Sequence, residues 1–121
     1  MKGIARDGLE VTGPNVASKP PRFAFNARGG DEGTAFPLGR VVATPGALKL
    51  LMEAGAYPFD YLARHATGDW GNLCAFDRRQ NEIALREGYR VLSSYDVSAE
   101  RVWIITEADR SVTTILLPEE Y

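Results

Sequence analysis

Two chemically versatile residue types are almost missing from this sequence: its 121 residues include one cysteine, Cys74, and one histidine, His65. A single thiol excludes an intrachain disulfide and any site built on several cysteines, and it favours a reducing compartment. A single imidazole means that any histidine chemistry runs through His65. With no Cys pair and no His-x-x-x-His spacing, no metal site is expected. No cofactor is expected either, because the glycine-rich run Arg28 to Gly33 lacks the following Lys-Ser/Thr of a phosphate loop. No apolar run approaches the ~20 residues that span a bilayer. Residues 1–8 lack the apolar stretch of a signal peptide. The expected location is therefore the cytoplasm, with no membrane partner.

An excess of one charge is also lacking. Fourteen Lys and Arg stand against sixteen Asp and Glu, for a net charge of −2. From residue 39 onward nine basic residues face twelve acidic ones, a net of −3. Nucleic-acid binding draws its affinity from basic side chains that neutralise phosphates, so this balance does not support it. A hydrophobic fraction of 45% and a charged fraction of 25% are those of an ordinary globular chain. A chain of this length fits one domain and one core.

Pro and Gly divide the chain. Residues 1–38 hold four of the seven prolines and six of the twelve glycines, with no helical period. They read as an N-terminal arm, with short extended pieces at Leu9 to Thr12 and Phe23 to Asn26. Residues 39–121 read as a single α+β domain. Arg40 to Ala43 is a short β candidate. Thr44 offers an N-cap hydroxyl, Pro45 suits the first helical position, and Gly55 supplies a left-handed stop. Ala47, Leu48, Leu50, Leu51 and Ala54 give that first helix its apolar stripe. A second helix starts near Pro58 and ends near Gly68, with Phe59, Leu62, Ala63 and Ala66 on one face. A third runs from about Arg78 to Glu87, with Asp77 as N-cap, Gln80 three residues on and Gly88 as its stop. Asn81 shares a face with Ala84 and Leu85, an unusual place for an amide.

The period then changes from 3.6 to 2. Tyr89 to Asp96, Arg101 to Glu107 and Val112 to Leu117 read as strands joined by short turns at Val97 to Glu100 and Ala108 to Ser111. The expectation is three short helices followed by a three-stranded antiparallel meander.

These residues carry a resemblance. The run Gly39-Arg40-Val41-Val42-Ala43-Thr44-Pro45-Gly46-Ala47-Leu48 is followed by His65 and Gly68-Asp69-Trp70-Gly71. Then come Trp103 to Ser111, Thr113-Thr114 and the ending Leu116-Leu117-Pro118-Glu119-Glu120-Tyr121. Over about residues 37–121 the pattern resembles a family of short bacterial proteins often carried on plasmids or other mobile elements. Some members bear labels linking them to restriction–modification subunits. The resemblance implies a bacterial, mobile-element setting, with defence or anti-defence as one role open to it, and brings no mechanism with it.

The candidate functional residues fall in two places. In the loop His65 to Gly71, His65 is the candidate general base, by its pKa near working pH. In the same loop Asp69 is a candidate acid–base group and Trp70 a candidate binding surface. The competing reading makes His65 a C-terminal helix residue, Asp69 a turn cap and Trp70 a core plug. At the hairpin tip, Glu107 is the candidate acid or base and Arg110 the candidate anion anchor. Asn81, Ser93, Ser94 and Tyr95 are candidates to join them in a polar pocket between the sheet and helix three. Cys74, in an apolar setting, reads as buried and inert. Two functions compete: a binding or accessory module whose partner is another protein, or a small hydrolytic or nucleolytic enzyme using His65, Asp69, Glu107 and Arg110. The enzyme requires His65 and Glu107 to share one cleft.

Overall fold

A computed structural model of the chain describes residues 34–121 and the backbone of Leu9–Glu10. The extended piece read at Phe23 to Asn26 lies outside the described residues, as does most of the arm. Elements are numbered along the chain. The strands are β1 (Leu9–Glu10), β2 (Arg40–Ala43), β3 (Val91–Val97), β4 (Glu100–Thr106) and β5 (Val112–Leu116). Between β2 and β3 lie the helices α1 (Pro45–Ala54), α2 (Pro58–Ala66) and α3 (Ala75–Glu87), and a 3-10 turn at Pro118–Glu120 follows β5.

The α+β class and the three helices hold among the described residues, but the sheet is larger than a meander. β3, β4 and β5 pair antiparallel as their alternation requires. Arg40–Ala43 then joins β5 in parallel, with Val41 beside Thr113 and Ala43 beside Ile115. Four strands thus make a mixed sheet, and the two residues of β1 pair antiparallel to the outside of β2. Periodicity reveals that a strand exists, not which strand lies beside it. The three intervening helices carry the chain back across the sheet, which a parallel neighbour demands.

The helices cover one face. Val41 and Ala43, Val91, Tyr95 and Val97, Val102 and Ile104, and Ile115 meet Ala47, Leu51, Leu62, Ala66 and Ala84 in the main core. Phe36 and Leu38 belong to that core too. The packed unit therefore reaches back past the boundary read at residue 39. Ile105 and Leu116, with Leu92 and Trp103 against them, form a smaller cluster on the other face. The Tyr121 ring lies edge-on to Trp103 at 5.6 Å.

Helix α1 follows its sequence signals. Thr44 Oγ1 accepts the Ala47 N–H at 3.1 Å, and Gly55 ends the helix at φ 69°. The same hydroxyl donates to Glu120 Oε1 at 2.5 Å, and that oxygen also accepts the Leu117 N–H. Thr44→Val keeps the side-chain shape and removes both bonds, so it is expected to cost about 1–2 kcal/mol in urea denaturation. No change in the midpoint would show that neither bond contributes.

The other two helices depart from their expected limits. α2 stops at Ala66, with Thr67 as its C-cap. Its buried stripe is Leu62, His65 and Ala66, while Phe59 and Ala63 face outward. The stripe is rotated because His65, polar in any tally of apolar residues, faces the core. α3 begins at Ala75, three residues before the expected start, because Arg78 N already bonds to the Cys74 carbonyl. Cys74 is thereby the N-cap residue and exposed, not buried, with its thiol 3.5 Å from Asp77 Oδ2.

Candidate functional site

Of the residues from His65 to Gly71, His65, Ala66 and Trp70 lie inside the fold, while Thr67 and Asp69 are exposed. His65 has no exposed surface. Its Nδ1 lies 2.5 Å from Ser93 Oγ and its Nε2 lies 2.9 Å from Thr106 Oγ1. Thr106 Oγ1 is 2.6 Å from Thr113 Oγ1, and Thr113 donates to the Leu38 carbonyl at 2.6 Å. The carbonyl can only accept, which orients every proton in the row. Thr113 spends its hydrogen on Leu38, so Thr106 donates to Thr113. The Thr106 oxygen then accepts from His65 Nε2–H, and His65 Nδ1 accepts from Ser93. One neutral tautomer satisfies the whole row.

The surroundings keep the ring neutral. Phe36 stands edge-on to it at 5.2 Å and Trp70 at 5.9 Å. Burial, and secondarily the positive charge of Arg110, push the imidazole pKa from 6.5 down to about 3. Such a ring is a poor base near neutrality. The Ser93–His65 contact has the spacing of a nucleophile and its base. Both residues are sealed from solvent, however. The far nitrogen meets a threonine hydroxyl, which cannot stabilise an imidazolium as a carboxylate does.

Trp70 completes the enclosure, and the exposed Asp69 carboxylate fixes the turn before it. Arg64 grips Asp69 through Nε to Oδ2 at 2.8 Å and Nη2 to Oδ1 at 3.4 Å. Oδ1 also accepts the Gly71 N–H, as a turn cap does. The hydrogen bond from Arg64 holds the Asp69 carboxyl below its usual range, with Gly71 adding to it. Trp70 stacks on Phe36 at 6.1 Å and points its Nε1 at Glu82 Oε2, 3.4 Å away. It plugs the core. The buried Tyr95 phenol donates to the Asp69 carbonyl at 2.6 Å, with the Arg64 guanidinium 4.6 Å over its ring. Burial pushes that phenol's pKa upward.

The hairpin-tip residues do not join His65. Glu107 follows the Trp103 and Ile105 parity, whereas His65 is met by Thr106, on the opposite face. Glu107 serves through its backbone: its N–H donates to Val112, and its carbonyl accepts from Arg110 N and Nη1. Arg110 is a structural cation. Nη1 donates to the Tyr89 carbonyl at 2.7 Å and Nη2 to the Ala84 carbonyl at 3.2 Å, which closes the C-terminal end of α3. Its guanidinium lies 5.4 Å over the Phe36 ring, and burial lowers its pKa. Asn81 spends both ends of its amide on one residue: Nδ2 donates to the Leu92 carbonyl and Oδ1 accepts the Leu92 N–H.

The anticipated polar pocket of Glu107, Asn81, Ser93, Ser94 and Tyr95 is therefore dispersed among separate bonds. What sequence reasoning missed is the hydroxyl row. Ser93, Thr106 and Thr113 fall at the same strand parity as Tyr95, Ile104 and Ile115, so each is a buried hydroxyl that needs a partner. The lone histidine is that partner. Among the described residues, no three His, Cys, Asp or Glu side chains come together to hold a metal, and no helix is long and apolar enough to cross a membrane.

Comparison with protein-family models, with curated proteins and with solved structures finds no match.

Proposed function

We propose that this chain is a small binding or accessory module whose partner is another protein, working in the bacterial cytoplasm in plasmid or mobile-element biology. The plasmid setting rests on the resemblance of residues 37–121, and a role alongside or against host defence belongs to the same reading. The observation that carries the binding reading is the occupation of His65, the one imidazole, on both nitrogens inside a sealed core. A hydrolytic or nucleolytic mechanism through His65, Asp69, Glu107 and Arg110 finds no common cleft to work in.

The turn from α1 to α2 supports a contact surface. Met52 is 77% exposed, Tyr57 70% and Phe59 42%, three large apolar side chains within eight residues. Clustered exposed apolar residues of this kind mark interaction surfaces more often than scattered ones do. The double variant Met52→Ser/Tyr57→Ser is expected to keep the wild-type melting temperature, since neither side chain is buried. It is also expected to lose a partner that the wild type captures from its native host and binds again after purification. A captured partner held equally by the variant moves the surface elsewhere. Hydrolysis of a nucleic acid or ester by the purified protein, abolished by His65→Gln without unfolding, would overturn the module reading.

A further inference from the structure

β3 is an outermost strand, and its tight turn into β4 decides which of its backbone groups face outward. Val97 pairs with Glu100 across Ser98 and Ala99, so Val91, Ser93, Tyr95 and Val97 spend their backbone groups on β4. Leu92, Ser94 and Asp96 point theirs away from the sheet. A bare row of this kind is a template for another strand.

Here the backbone groups of Leu92 and Ser94 are taken up in turn, and Asp96 is held through its side chain. The Asn81 amide, 5% exposed, meets the Leu92 carbonyl at 2.7 Å and the Leu92 N–H at 3.1 Å. The Trp70 carbonyl accepts the Ser94 N–H at 3.0 Å, and the Asn72 N–H donates to the Ser94 carbonyl at 2.6 Å. Gly71 thereby makes a single parallel bridge with Ser94. Asn72 Nδ2 reaches Asp96 Oδ2 at 2.6 Å, and Arg101 Nε holds the other oxygen at 3.2 Å. A side-chain amide that matches both backbone groups of one strand residue does what a neighbouring strand would do. The loop does the same for the next outward residue.

We infer that Asn81 and residues 70–72 are an edge guard, and that the occupant they exclude is a second copy of this chain paired β3 to β3. The strand suits self-pairing. It is seven residues long, it carries Asp96 as its one charge, and its sequence Val-Leu-Ser-Ser-Tyr-Asp-Val has neither Pro nor Gly. An edge strand meets its own image about a two-fold axis with the same backbone groups on both sides. This inference is independent of the partner proposed above, because it concerns the outer strand β3 and not the turn from α1 to α2.

Sedimentation of Asn81→Ala against the wild type at equal concentration tests it. The variant is expected to show about a twofold or greater rise in mass. Its Leu92 amide should exchange quickly when dilute and regain protection as association proceeds. A folded variant with wild-type mass overturns the guard. Should the variant not fold, hydrogen exchange in the unaltered protein decides. The Leu92 and Ser94 amides are expected to exchange at least about 100-fold slower than unstructured amides. Exchange at the unstructured rate shows an open edge and overturns the inference.

Discussion

Lowering the pH from 7 to 4 is expected to remove on the order of 3 kcal/mol of stability through His65, the chain's one histidine. In the unfolded chain His65 takes up a proton near pH 6.5, whereas in the folded chain it does so only near pH 3. Between those values the unfolded state holds more protons, so acid draws the equilibrium toward it. The contribution is fully present above pH 6.5 and is lost progressively as the pH falls toward 3.

Structure gives the reason. Protonating Nδ1 turns an acceptor into a donor, so the Ser93 hydroxyl loses its bond to the ring unless it turns its own hydrogen away. The row from Thr106 to Leu38 cannot reverse, because a carbonyl ends it. Among the described residues, the carboxylates with displaced pKa values act elsewhere. Asp69, held low by its bond from Arg64, and Asp109, held low by Ser111, lose most of their contributions below about pH 4. The window from pH 6.5 to 4 therefore reports on His65. Urea midpoints across that window measure it, with His65→Gln as the control. That variant is expected to be weaker at pH 7 by about 2–4 kcal/mol, because Ser93 and Thr106 lose their partner, and flat across the window. A wild-type stability unchanged between pH 6.5 and 4.5 would refute the buried, neutral ring.

Gly71→Ala is expected to cost about 2–4 kcal/mol. Gly71 has φ 74°, a left-handed conformation that disfavours a side chain. Its Cα also presses on β3. An added Cβ would run into the Ser94 carbonyl oxygen and lie 2.7 Å from Tyr95 Cδ1. Relieving that clash means lifting residues 70–72 off the strand, and with them the two backbone bonds to Ser94. Gly55→Ala isolates the conformational part. Gly55 has φ 69° but nothing within 4 Å of its added Cβ, so about 1 kcal/mol is expected there. Equal losses at the two positions would mean that the loop does not bear on the edge of the sheet.

The difference between those two glycines separates what is local from what is not. Gly55 was legible in the sequence as a helix stop, and so were Thr44, Pro45 and Gly88, because capping depends on residues a turn apart. The three final strands were legible for the same reason: alternation of Tyr95, Val97, Val102, Ile104 and Ile115 is a property of each segment by itself. Asp69 as a turn cap and Trp70 as a plug were readable from the Gly-Asp-Trp-Gly run.

Other features needed the whole chain. Arg40–Ala43 as the parallel neighbour of β5, Asn81 as a mimic of a strand and Gly71 against Ser94 involve partners brought together by folding. His65 is the clearest case. Its polarity hid it from an apolar periodicity, and its partners lie 28 and 41 residues away. By itself the sequence determined the α+β class, both caps of α1, the glycine stop of α3 and the exclusion of an intrachain disulfide. Only the tertiary structure decided that the sole histidine is a neutral, fully bonded strut rather than a base, because burial and bond accounting exist only once β3, β4 and β5 are stacked beneath α2.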